Sequence, residues 1–303
     1  MKKMLVSLLV FIFVLSACSL ESPEEKGSAG KDKKNKDITI GVSLSTLNNP
    51  FFVAIKDAIE EEAKANNYKV KVVDAQDDSA KQSNDIDDLI QQNVDYLIIN
   101  PTDSAAISSA VENANTENIP VVTLDRSVDS GDVAAFIASD NVEGGKMAGD
   151  YIVEKVGKDA EVAELEGVPG ASATRERGKG FHEVADKELN IVAKQTAKFN
   201  RAEGLNVAQN ILQSNPDIKA IFAHNDEMAL GAIEAIGNKD ILVVGFDGND
   251  DAMKSIKNGK LDATIAQQPD EMGKKAVKTV KDLKDDKAVK KEIKIPLKLE
   301  EQK

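Results

Sequence analysis

Residues suited to holding a small polar molecule recur where short apolar runs end. The stretch Ser45-Thr-Leu-Asn-Asn-Pro-Phe-Phe52 follows the strand-like run 38–44 and precedes a helix-like run from Pro50. It sets Ser45, Asn49, Phe51 and Phe52 at a strand-to-helix turn. Later runs end in Asp125-Arg126, Phe199, Asn225-Asp226, Asp247-Gly248 and Gln267-Gln268. A carboxylate accepts from two adjacent hydroxyls, a guanidinium donates in a fixed fork, and an amide does either. Phenyl rings cover C–H faces. Together these groups suit a neutral polyol such as a sugar. Plainer readings stand beside this one. Phe51 and Phe52 could be the first core residues of a helix, and Asp125 with Arg126 a loop ion pair. Asp125 and Asp247 could also do acid–base work on a sugar.

Other chemistry finds less support. There is no Gly-x-Ser-x-Gly elbow, no phosphate loop and no dinucleotide fingerprint. Of two histidines, His182 reads as a surface residue of a helix. His224 precedes Asn225 in a strand, so its side chain faces the opposite way. The segments 74–78 and 247–251 imitate half a calcium loop but lack the glycine and the closing glutamate, so no metal is expected. No catalytic residue and no cofactor is expected either.

The elements that must carry these residues alternate. Strands are expected at 38–45, 70–75, 96–100, 121–125 and 134–139, with helices at 50–67, 79–93 and 104–117 between the first four. A second series has strands at 162–166, 191–199, 220–225, 241–247 and 263–267, and helices at 142–156, 175–187, 201–213, 226–236 and 250–258. A helix at 271–283 and a strand at 292–299 close the chain. Tyr96-Leu-Ile-Ile and Ile241-Leu-Val-Val are continuously apolar. Such strands are covered on both faces, which means parallel sheets flanked by helices. So many β-α units exceed one sheet, so two α/β lobes are expected, with a break near Ser139-Asp140. Ligands of such sheets bind at the carboxyl ends of strands, where the polar set lies. The lysine-rich run 274–291 reads as a solvated helix face.

The chain has 303 residues, 41% hydrophobic and 30% charged, which is enough for two domains. A formal charge of −13 argues against a nucleic-acid partner. Residues 1–17 read as a signal peptide, with Lys2 and Lys3 before an apolar run. Leu15-Ser16-Ala17-Cys18 is similar to the lipobox of bacterial lipoproteins, which implies a lipidated Cys18. Residues 18–37 then form the lipidated cysteine and a polar, flexible tether. Cys18 is the sole cysteine, so no disulfide forms within the chain.

Several motifs carry a family resemblance. These are Ser45–Phe52, Ile99-Asn-Pro-Thr-Asp-Ser104, Thr123-Leu-Asp-Arg126, Ala138-Ser-Asp-Asn141, Ala173-Thr-Arg-Glu-Arg-Gly178, Asn225-Asp-Glu-Met-Ala-Leu-Gly231, Val244-Gly-Phe-Asp-Gly248 and Thr264-Ile-Ala-Gln267. In that order they resemble the D-ribose-binding proteins of bacterial ABC sugar importers, within the periplasmic-binding-protein and LacI-like superfamily. The resemblance implies a type I fold of two similar lobes joined by three crossings, near Ser139-Asp140, Gln267-Gln268 and Pro296-Leu297. The N-terminal lobe would be 38–139 with 268–296, and the C-terminal lobe 140–267 with 297–303. Implied contacts are Ser45, Asn49, Phe51, Phe52, Asp125 and Arg126 from the first lobe. Arg177, Phe199, Asn225, Asp247 and Gln267 would come from the second. The implied partners are D-ribose and an ABC importer permease, with a chemoreceptor as a further reader of the closed form. The implied protein is a monomer and not an enzyme, held by its lipid at the outer face of a Gram-positive cytoplasmic membrane. Arg177→Ala is then expected to abolish binding and leave the sugar-free melting temperature almost unchanged.

Overall fold

A computed structural model describes residues 37–302. The expected signal peptide 1–17, Cys18 and the tether up to residue 36 lie outside the described residues. The first half runs β1 (Thr39–Leu44), α1 (Pro50–Ala65), β2 (Lys69–Asp74), α2 (Ser79–Gln91), β3 (Tyr96–Ile99), α3 (Ser108–Thr116), β4 (Val121–Leu124), β5 (Ala135–Ser139). The second runs α4 (Asn141–Val156), β6 (Glu161–Glu166), α5 (Ser172–Glu188), β7 (Asn190–Thr196), α6 (Arg201–Ser214), β8 (Ala220–Ala223), α7 (Asp226–Ile236), β9 (Leu242–Asp247), α8 (Asp250–Lys257), β10 (Ala263–Ala266). Then follow α9 (Pro269–Lys284), β11 (Glu292–Ile295) and β12 (Lys298–Glu301).

Two six-stranded sheets result, ordered β11-β5-β4-β3-β1-β2 and β12-β10-β9-β8-β6-β7. The continuous apolar runs are explained by burial on both faces. In β3, Ile98 packs into the core under α1 and α9, while Leu97 and Ile99 pack into the core under α2 and α3. The second sheet is covered in the same way by two further clusters. Side chains close the helix starts: Asn49, Asp78, Asp140, Asn200, Asn225 and Asn249 each accept from a backbone N–H of the first turn.

The chain passes between the sheets three times: after β5, between β10 and α9, and between β11 and β12. The last crossing corrects one expectation. A single strand over 292–299 does not form. β11 runs parallel to β5 in one sheet, and β12 runs antiparallel to β10 in the other. Pro296 stands at the break, where its missing N–H and fixed φ cannot continue a ladder. The second sheet is therefore not wholly parallel. Other boundaries differ as well. β7 stops at Thr196, because Lys198 and Phe199 take left-handed φ values of 54° and 58°. α3 starts at Ser108, because Asp103 Oδ1 accepts from the Ala105 and Ala106 N–H groups and closes a separate turn.

Candidate functional site

The carboxyl ends of both sheets face one cleft, and the cleft is closed. Ser104 N–H donates to the Gly170 carbonyl at 3.0 Å, and Ser127 N–H donates to Ser172 Oγ at 2.9 Å. Asp129 and Arg175 approach to 3.4 Å across the same seam. Between the lobes lies a tight pocket lined by Asn49, Phe51, Phe52, Asp125, Arg126, Ala173, Arg177, Phe199, Asn225 and Asp247. Nine of the eleven residues expected as contacts thus meet there. Ser45 and Gln267 do not line it and stand one layer behind. Ser45 N–H donates to Asn100 Oδ1, and Gln267 Nε2 donates to Asp247 Oδ1 at 2.8 Å.

Each lining residue is placed by its local chain. Asn49 caps α1 by accepting from the Phe51 N–H, which turns both rings inward. Phe51 and Phe52 pack edge to face, 5.3 Å between centroids, and belong to the buried core as well as to the cavity wall. The pair is therefore core, as the plainer reading expects, and also part of the pocket wall. Asn225 caps α7, and its Nδ2 donates to the Phe199 carbonyl. Asp125, Phe199 and Asp247 hold φ values of 61°, 58° and 123°. Non-glycine residues in these regions store backbone strain, which collects where a side chain must be aimed. Gly167 makes room for one of them, since a Cβ there would lie 2.0 Å from the Phe199 ring.

The charges form an alternating set. Arg126 lies between the rings of Phe52 and Phe199, 5.1 Å from each centroid, and its Nη1 donates to the Pro101 carbonyl. Its Nε is 3.5 Å from Asp125. Arg177 stacks 3.8 Å over Phe246 and lies 3.9 Å from Asp125 and 3.7 Å from Asp247. Burial pushes the Asp125 carboxyl up, with Arg126 and Arg177 pulling against it. Burial pushes Asp247 up further, opposed by Arg177 and assisted by the neighbouring Asp226. Two carboxylates and two guanidiniums so close together sum to zero charge, the arrangement that buried ions require.

Arg177 is also part of its own lobe. Its Nε donates to Asn141 Oδ1 at 2.9 Å and its Nη1 to the His224 carbonyl at 2.5 Å. The expectation that Arg177→Ala leaves the sugar-free stability unchanged is therefore corrected: buried hydrogen bonds would be lost with the side chain. His182 is corrected in part. It stays partly exposed at the surface, 28% of its side chain open, but its ring also reaches inward to Glu164 at 2.9 Å and to Asp186 at 2.7 Å. Supporting residues escaped the sequence reading. Asn100 donates to the Leu124 carbonyl and to Asp125 Oδ2. Asp226 accepts from the Gly248 and Asn249 N–H groups and from Thr264 Oγ1. Their signal was a polar residue closing an apolar strand, which turns also produce. Among the described residues, no group of three or more His, Cys, Asp and Glu could hold a metal.

A family model described as the periplasmic binding protein domain matches residues 40–288. The chain belongs to the periplasmic binding protein family. This binding protein is 59% identical over 304 residues to the ribose import binding protein of Bacillus subtilis (strain 168), covering 100% of this chain and 99% of that one. It is 49% identical to the protein of the same name from Escherichia coli (strain K12), covering 88% and 89%. Among solved structures, the Caulobacter myo-inositol binding protein bound to myo-inositol superposes with a TM-score of 0.84. It is 32% identical, with 90% of this chain and 96% of that one covered. These relatives are solute-binding proteins, and the two-lobed fold is the type I architecture that the sequence motifs imply.

Proposed function

We propose that this chain captures D-ribose between its lobes and delivers it to the permease of an ABC importer. The observation that carries this reading is one interlobe pocket on which two carboxylates, two guanidiniums and three phenylalanines converge. Its charges cancel, so a neutral ligand adds no uncompensated charge. Its donors and acceptors suit adjacent hydroxyls, and its rings suit sugar C–H faces. The ribose named for the relatives fits that chemistry. Ser45 and Gln267 act from behind, through their hydrogen bonds to Asn100 and Asp247.

The mechanism is capture and closure. The lobes are 38–139 with 268–296 and 140–267 with 297–303, and three crossings form the hinge. Sugar bound to one half-site bridges to the other and stabilises the closed form, which the permease reads. Cys18, lipidated and left as the new N-terminus once residues 1–17 are removed, holds the protein at the outer face of the cytoplasmic membrane of a Gram-positive cell. The binding unit is a monomer, and a chemoreceptor is a second candidate reader of the closed form.

Titration calorimetry with ribose, allose, apiose and myo-inositol tests the ligand. Heat with ribose at the lowest concentration is expected; heat with another sugar and none with ribose ends the assignment. Detergent-phase partition of the parent protein, lost in Cys18→Ser, tests the anchor.

A further inference from the structure

Three ionisable side chains lie behind the cavity without lining it. Glu164, on β6, has no exposed surface. Its Oε1 is 2.8 Å from His224 Nε2, and its Oε2 is 2.9 Å from His182 Nε2. The other nitrogen of His182 is 2.7 Å from Asp186 Oδ1. Burial pushes the Glu164 carboxyl up, but the hydrogen bond and charge of His224, with the charge of His182, outweigh it and hold it below the ordinary value.

The geometry ties this carboxylate to Arg177 from two sides. His224 Nδ1 has no hydrogen-bond partner, so the polar hold on this ring is its contact with Glu164. The carbonyl of the same His224 receives Arg177 Nη1. His182 sits on α5, the helix that carries Arg177, so the second oxygen of Glu164 grips that helix. The helix packs close on this pair: a Cβ at Gly178 would be in ordinary contact, 3.4 Å, with both Glu164 Oε1 and His224 Cε1. Arg177 has five N–H groups. One is committed to Asn141 and one to His224, which leaves three for the cavity. Their direction depends on the two committed bonds, and a recognition group must be held to within about 0.5 Å to work.

We infer that Glu164 is a positioning residue for Arg177, acting through His224 and His182 and touching no ligand. The inference rests on the reading of Arg177 as a sugar contact, so the test separates the two. Ribose affinity is measured by calorimetry for Glu164→Gln, Arg177→Lys and the double variant. Arg177→Lys weakens binding if the site reading is right; an unchanged affinity there overturns that reading itself. Glu164→Gln keeps the shape and is expected to weaken binding by about tenfold, within the range of coupling inside one hydrogen-bond network. The double variant is expected to bind no worse than Arg177→Lys alone, because both changes act through one guanidinium. An unchanged affinity in Glu164→Gln, or a loss that simply adds to that of Arg177→Lys, overturns the inference. If Glu164→Gln does not fold, His224 decides. His224→Gln, whose amide still donates to Glu164, retains more affinity than His224→Leu; equal affinities overturn the inference.

Discussion

Gly170 offers a way to block closure without touching either half-site. It lies in the loop between β6 and α5, and its carbonyl accepts the Ser104 N–H from the opposite lobe. A Cβ on Gly170 would sit 1.9 Å from Asp103 Oδ2 and 2.5 Å from its Cγ. Its φ lies outside the left-handed range, so alanine fits the backbone and the conflict is one of space across the seam. Asp103 cannot simply turn away, because its Oδ1 holds the Ala105 and Ala106 N–H groups at 2.9 Å. Relief costs either that turn or the approach of the lobes. Overpacking of this kind costs about 1–3 kcal/mol. Loosening the Ser104 and Ser127 hydrogen bonds adds about 1 kcal/mol each at most. A net penalty of roughly 2–4 kcal/mol on the closed form raises the apparent Kd by about 30- to 1000-fold. Calorimetry reads this directly, and small-angle scattering at saturating ribose reports the lost compaction. The sugar-free melting temperature should hardly move, since the clash exists only between closed lobes. Asp103→Ala added to Gly170→Ala should restore much of the affinity. A Gly170→Ala protein that binds ribose within threefold of the parent would refute the reasoning.

Arg177→Ala should abolish measurable ribose binding and also lower the sugar-free melting temperature, because about 2–3 kcal/mol of charged hydrogen bonding goes with it; an unchanged melting curve would contradict the geometry. Gly167→Ala should displace the Phe199 ring and weaken ribose binding by about tenfold or more, an overpacking effect of 1–3 kcal/mol that calorimetry can check. The Asp226 carboxyl is pushed up to about 7, by burial first, against hydrogen bonds from Thr264, Asn249 and Gly248. Its folded value then exceeds its unfolded one, so the native state binds more protons and stability falls as pH rises between about 4 and 7. Asp226→Asn can keep the same contacts without the charge. Its melting temperature relative to the parent should rise across that window and level off above it, and a difference independent of pH would exclude the effect.

The sequence by itself determined the alternation of strands and helices, the two lobes and most of the cavity wall. These are local properties. Apolar runs such as Tyr96–Ile99 report burial on both faces, and polar residues closing them mark one rim of a parallel sheet. What only the tertiary structure decided depends on partners distant in the chain. In the segment 292–299 Pro296 marks where a ladder must break, but only the pairing shows that the two halves join different sheets. Phe199 reads as a strand end, yet its ring is aimed by a left-handed turn and by the space left at Gly167. Asn100, Asn141 and Asp226 look like ordinary turn residues until Asp125, Arg177 and the 248–249 loop are brought against them. Gly170 carries no signal in sequence, because its Cβ would meet Asp103 only when the two lobes close.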